Sequence, residues 1–215
     1  ELLLYPEDRD WTATRAYGAA LAGHSAATSL LDAFLTSPRA HDLDEYLTLL
    51  ELTPPCPLYL GHYLFEEPSS CRGAGVSGRN AYMLELAATY RHFGMEPSGK
   101  ELADYVPLVA EFLALSLARP QLDGIGLRRR LLERHVAPAL PEMRAALRKY
   151  ESPYVKLVEL LELLVADDIA SSPGPAWEPT PLGTELPMLQ AGHLTAARAT
   201  AGGPAKEEGR KRTSS

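Results

Sequence analysis

The residues best suited to chemistry in this chain lie between Tyr59 and Glu111. Tyr59, His62, Tyr63 and Glu66 recur at helical spacing, so one helix face can carry all four. An imidazole and a carboxylate at i,i+4, His62 and Glu66, are a possible pair of metal ligands. With Glu67 and the more distant His92 they outline a small α-helical metal-dependent hydrolase. That reading lacks a third ligand at a diagnostic spacing. Cys56 and Cys71 flank the same stretch, but two thiols without two further ligands in a recognisable pattern read as ordinary reduced cysteines. Asp104 stands just before an apolar run with Pro107 in its first turn, where Asp caps a helix and Pro gives up no needed N–H.

The loop 72–79, Arg-Gly-Ala-Gly-Val-Ser-Gly-Arg, invites a phosphate-binding reading, because glycines let the backbone approach and two arginines flank it. No strand precedes it, and the Lys-Ser/Thr pair of a P-loop is missing. The chain has no Gly-x-Ser-x-Gly elbow, no His-Glu-x-x-His and no Cys/His pairing of recognised spacing. The expectation is a protein that is not an enzyme, holds no metal and carries no cofactor.

The elements that position these residues are helices. Of the 215 residues, 46% are hydrophobic but only 7% aromatic. The apolar content is mostly Leu and Ala, both good helix formers. No stretch alternates apolar and polar residues between hairpin turns. The fold class is therefore all-α: one domain over residues 1–170, with about seven to nine helices between 8 and 170. A formal charge of −7 argues against nucleic acid, which needs a concentrated basic footprint, and would attract a cationic peptide. No run approaches the ~20 apolar residues of a membrane span. Two cysteines and no recognisable signal peptide suggest the cytoplasm.

Punctuation sets the helix limits. Asp8 or Asp10 caps a first helix running to about Leu21, with Gly23 beyond it. A second covers 25–35 and stops at Ser37-Pro38. Asp42 or Asp44 opens a third, with Leu43, Tyr46, Leu47, Leu50 and Leu52 as its buried stripe. Residues 58–65 are apolar all round and read as a buried helix. The helix 79–93 carries Tyr82, Met83, Leu86, Tyr90 and Phe93, with Gly94 at its C′ position. Asp104 caps the next, whose buried face is Leu108, Val109, Phe112, Leu113 and Leu115. A basic-faced helix over 127–135 and another over 138–150 follow. The last bears Val155, Val158, Leu161, Leu164 and Val165. Beyond 171, Pro173, Pro175, Pro179, Pro181 and Pro187 recur among Gly, Ser, Thr and Ala and mark a tail that buries too little to offset its ordering entropy.

The order of motifs from Leu58 to Leu115 resembles the molybdoenzyme-specific assembly chaperones, the nitrate reductase delta subunit family (NarJ/TorD type). Leu58-Tyr59-Leu60 stands for its tyrosine-rich helix and 72–79 for its Gly/Arg loop. Tyr90-Arg91-His92-Phe93-Gly94 matches its Tyr-Arg-x-x-Gly helix end, and Glu101-Leu102-Ala103-Asp104-Tyr105-Val106-Pro107 its Glu-Leu-Pro-Asp-Tyr-Leu-Pro block, with Ala103 in place of the first Pro. The longer loop suggests the subgroup serving selenate-, chlorate- and ethylbenzene-type enzymes. The resemblance implies a cytoplasmic chaperone that binds the catalytic subunit of a molybdenum-containing oxidoreductase, through its twin-arginine leader or another segment. It would hold that subunit until molybdenum cofactor is inserted and export can follow. The site it implies has Glu66, Glu67, Asp104 and Glu111 for the arginines, since a guanidinium fork matches a carboxylate. Tyr59, Tyr63, Tyr90 and Tyr105 would be its apolar walls, with His62 and Pro107 beside them.

Removing residues 171–215 is expected to leave a cooperatively unfolding domain, measured by urea denaturation. Loss of the cooperative transition would mean that the tail belongs to the core.

Overall fold

A helix in water is marginal on its own, so each helix here is held by the apolar face it buries. The computed structural model describes residues 2–65, 78–97, 101–123 and 126–172, all within the compact unit Glu1–Trp177. Glu66, Glu67, Cys71, residues 72–77 and the tail from 173 lie outside the described residues.

The helices run α1 Trp11–Ala20, α2 Ser25–Leu35, α3 Leu43–Tyr46, α4 Leu60–Leu64, α5 Gly78–His92, α6 Val106–Leu117, α7 Leu127–Leu131, α8 Leu140–Lys149 and α9 Val155–Ser171. The all-α expectation holds. Among the described residues there is no strand, only a single antiparallel bridge between Tyr59 and Tyr105. No helix among them is long and apolar enough to cross a membrane.

Several limits follow the local chemistry. The Asp10 carboxylate accepts from the N–H groups of Thr12 and Ala13 at the start of α1, and Asp42 accepts from Asp44 at the start of α3. Gly94 takes φ +70°, and the N–H groups of Gly94 and Met95 close on the carbonyls of Arg91 and Tyr90, a Schellman ending for α5.

Other expectations are corrected by wide turns. Helix α3 continues into a π turn over Leu47–Glu51, closed by the Leu52 N–H on the Leu47 carbonyl. The extra residue rotates the register, so Leu49 and Leu50 are buried with Tyr46, while Leu52 is 67% exposed. A second π turn, Leu132–Val136, follows α7 and turns His135 and Val136 inward. The stretch 58–65 is not one helix: Leu58 lies in a bend, Tyr59 is extended, and α4 spans Leu60–Leu64. In α6 the buried set is Val106, Val109, Phe112, Leu113 and Ser116, and Leu115 is exposed. In α9 it is Leu157, Val158, Leu160 and Val165, leaving Leu164 at the surface.

Two arginines anchor the interior. Arg9 donates to the Leu4 and Ala40 carbonyls and to the Tyr154 hydroxyl at 2.9, 2.8 and 2.6 Å. Its guanidinium lies 5.6–5.9 Å from the ring centres of Trp11, Phe34, Tyr46 and Tyr154. Arg128, within the helix read as basic-faced, is buried. It pairs with Asp168 of α9 and donates to the Leu113 carbonyl and the Ser116 hydroxyl of α6. That one side chain ties α6, α7 and α9 together.

Changing Asp168 to Ala leaves the Arg128 charge without its carboxylate. The expected loss is about 2–3 kcal/mol of unfolding free energy in urea, with much of it regained in Asp168→Ala/Arg128→Met. A single variant within ~0.5 kcal/mol of the parent would show that the pair holds nothing.

Candidate functional site

Two short segments meet where α4 and α6 begin. The Leu60 N–H donates to the Asp104 carbonyl at 3.1 Å, and the Val106 N–H to the Leu58 carbonyl at 2.9 Å. Between these bonds the rings of Tyr59 and Tyr105 pair at 5.4 Å. The Asp104 side chain is fully buried, and its Oδ2 accepts from the Gly61 N–H at 2.9 Å. Gly61 is the second residue of α4, so Asp104 caps α4 from 43 positions away. The expectation that it caps its own helix is corrected. The N-cap of α6 is Tyr105, without a side-chain cap bond.

Gly61 is required by this close approach. A Cβ there would come 2.6 Å from Asp104 Oδ2 and 3.3 Å from Arg79 Nε. Burial raises the Asp104 pKa above the usual carboxylate value, opposed by the Gly61 N–H and by Arg79, whose Nη2 is 4.0 Å away. Asp104 Oδ1 and the neighbouring Tyr82 hydroxyl are buried without a hydrogen-bond partner among the described residues. A carboxylate so enclosed works as an internal cap and is inaccessible to an incoming side chain in this conformation.

The tyrosine hydroxyls of the corner also have internal partners. Tyr59 donates to Glu101 Oε2 at 2.6 Å, Tyr63 to the Pro57 carbonyl at 3.0 Å, and Tyr90 to the Ala103 carbonyl at 2.6 Å. Burial pushes all three hydroxyls well above their ordinary pKa. His62 is exposed and packs edge-on against Tyr63. His92 hydrogen-bonds the Leu122 carbonyl at 2.6 Å. Among the described residues no three His, Cys, Asp or Glu side chains group to hold a metal. The buried Cys56 thiol has its pKa pushed up to about 11 by desolvation, which leaves it unreactive at neutral pH.

From this corner α6 runs outward with a concavity on each side. On one side Ala110, Ala114 and Leu117 face Leu161 and Leu164 of α9 across a groove of about 990 Å³. The groove continues, through the shared residues Ala110, Leu161 and Leu164, into a further 400 Å³ toward Leu3, Leu21 and Leu31. Its lining is mostly apolar. His24, Asp167 and the Arg128–Asp168 pair stand at one end. On the other side of α6, Leu108, Glu111 and Leu115 line a smaller cleft of about 330 Å³ with Tyr90, Met95 and Glu96.

The ten residues singled out from the sequence therefore divide. Tyr59, His62, Tyr63, Asp104 and Tyr105 form the corner, Pro107 enters the apolar groove, and Tyr90 and Glu111 enter the smaller cleft. Glu66 and Glu67 lie outside the described residues. Sequence reasoning missed Leu161, Leu164 and Asp167 as groove residues. The signal was present: α9 carries leucines at 157, 160, 161, 163 and 164, more than one buried face accommodates.

Comparison with known proteins bears on this geometry. A family model described as nitrate reductase delta subunit matches residues 19–157. Two relatives are described as nitrate reductase molybdenum cofactor assembly chaperone NarJ, from Escherichia coli (strain K12) and Escherichia coli O157:H7. Each is 31% identical over 83 residues, covering 39% of this chain and 32% of the relative. The matched stretch thus spans about a third of each relative's length.

The Asp104 environment sets a pH dependence. An acid whose folded pKa lies above its unfolded value of ~4 binds more protons when folded between the two values. The stability present below the unfolded value is therefore lost as pH rises through the folded one. Asp104→Asn keeps an acceptor for Gly61 and removes the titration. Its stability relative to the parent, read by urea denaturation, is expected to improve from acidic to mildly alkaline pH. A trend of opposite sign would contradict the burial argument.

Proposed function

Because this chain belongs to the nitrate reductase delta subunit family, we propose that it is an assembly chaperone for a molybdenum-containing oxidoreductase. It works by holding a segment of the catalytic subunit, a twin-arginine leader or another stretch, while molybdenum cofactor is inserted. In this reading it acts in the cytoplasm, delays export until the subunit is loaded, and performs no chemistry on its client. The observation that supports the reading most is the groove between α6 and α9, which is long, open and apolar with no side chain of the described residues filling it.

The mechanism is helix-in-groove or extended-segment recognition. Burying three side chains of leucine size in the groove contributes roughly 5–9 kcal/mol before costs. Lost rotational and translational freedom offsets much of this. Such binding is releasable, as a temporary holder requires. Asp167, exposed at the end of the groove, gives a basic residue of the client a place to settle and so sets its direction. The clasp of Asp104, Gly61 and the Tyr59–Tyr105 bridge keeps α6 in place as the groove wall.

The direct test is co-expression of the tagged protein with a molybdoenzyme catalytic subunit from its own source. The subunit is expected to co-purify, and to hold more molybdenum by elemental analysis than when expressed alone. Failure of every such catalytic subunit to co-purify or gain molybdenum would end the reading. Leu164→Asp tests the groove itself, since Leu164 lines both of its parts and is 36% exposed. Co-purification is expected to fall about tenfold or more, with unfolding free energy within ~1 kcal/mol of the parent. Undiminished co-purification would place the client elsewhere.

A further inference from the structure

Arg128, Arg129, Arg130 and Arg134 crowd α7 and the π turn after it, and three of them already hold a carboxylate. Arg128 pairs with Asp168, Arg129 with Glu133 and Arg134 with Glu85. Arg130 is exposed, and no hydrogen bond or ion pair to its side chain is found among the described residues. It lines a cleft of about 260 Å³ between α5 and α7. Ala88, Thr89 and Leu127 supply the apolar part of that lining, and the exposed His92 joins them.

The charges of this cleft do not cancel. Glu85 is its one acid among the described residues, and it is held by Arg134 at 3.3 Å and by the His135 ring at 2.9 Å. Burial lowers the His135 pKa; Glu85 opposes this, and Arg134 and Arg130 add to the lowering. The imidazole is therefore neutral at neutral pH, Arg134 balances Glu85, and the Arg130 charge is left over. The negative pole of α5 does not offset it. The Arg91 and Tyr90 carbonyls at its C-terminus accept from the Gly94 and Met95 N–H groups, and the Phe93 carbonyl accepts from Arg119.

We infer that the α5–α7 cleft docks a short acidic segment of a partner protein, with one carboxylate on Arg130 and an aliphatic neighbour on Ala88 and Leu127. The guanidinium fork matches a carboxylate through two parallel hydrogen bonds. The cleft has room for a side chain and its neighbour, not for a folded element. A net charge of −7 repels long polyanions, and one unpaired arginine is no footprint for nucleic acid. For a short segment that repulsion is screened beyond about 8 Å at ~0.15 M salt, so the contact pair decides. The cleft shares no lining residue with the α6–α9 groove, and the inference is independent of the client reading.

The test uses the full chain, labelled for amide NMR and titrated at ~0.15 M salt with the acetylated, amidated tetrapeptide Leu-Glu-Leu-Glu. The control peptide, Leu-Gln-Leu-Gln, keeps the shape and loses the charge. Amide shifts are expected to centre on Ala88, Thr89, His92 and Arg130. The control peptide is expected to bind about tenfold more weakly or worse. Arg130→Gln removes the fork and Ala88→Glu sets a like charge in the cleft, and each is expected to cost the acidic peptide a similar factor. Both positions are exposed, so both variants are expected to keep the parent spectrum elsewhere. Leu164→Asp is expected to leave this titration unchanged, which separates it from the client-holding groove. Equal binding of the control peptide, shifts centred on another surface, or no shifts would each overturn the inference. So would displacement of the peptide by equimolar phosphate, or tighter binding of an oligothymidylate at the same amides, since either marks a site for any anion.

Discussion

The arrangement depends on a clasp between two short segments 43 residues apart in sequence. Asp104 gives its carbonyl to Leu60 and its carboxylate to Gly61, while Val106 returns a bond to Leu58. These bonds fix where α4 and α6 begin. A helix as short as α4 has no stability of its own, so its first turn needs the buried carboxylate. The cost is a desolvated acid whose second oxygen has no partner among the described residues, an expensive feature to keep in a core. What it secures is the position of α6, and α6 is a wall of both concave surfaces.

Charge inside the fold follows the same logic of distant partners. Arg9 is surrounded by four rings and satisfied by carbonyls and a hydroxyl, and Arg128 is shared among three helices. Guanidinium groups suit this role because several fixed donors can be satisfied by acceptors from different elements. The acidic groups left outside are exposed, Asp167 beside the apolar groove and Glu96 and Glu111 beside the smaller cleft.

Local rules made much of this legible in the sequence. The limits of α2, the Asp10 cap, the Gly94 ending of α5 and Pro107 in the first turn of α6 all depend on residues within a few positions of one another. What escaped had a distant or additive cause. The π turns shift a helical register by one residue, which a 3.6-residue pattern does not contain, and so Leu52 was placed inside. Asp104 looked like a cap for the helix that follows it because the Gly61 N–H is invisible in the local sequence. The burial of Arg128 escaped the sequence because Asp168 and the Leu113 carbonyl of α6 lie far along the chain. The candidate site was legible as a neighbourhood, but its division into corner, groove and cleft depends on where α9 passes.

The central claim is that α6 and α9 together present the surface that holds a client while the α4–α6 clasp stays closed. Hydrogen–deuterium exchange of the free protein and of its complex with a co-expressed molybdoenzyme catalytic subunit addresses this most directly. The account predicts added protection in α6 beyond Ala110 and in α9 from Leu161 onward, with exchange at Leu60, Gly61 and Val106 equally slow in both. Protection centred on α7 and α8, with α6 and α9 unchanged, would contradict it.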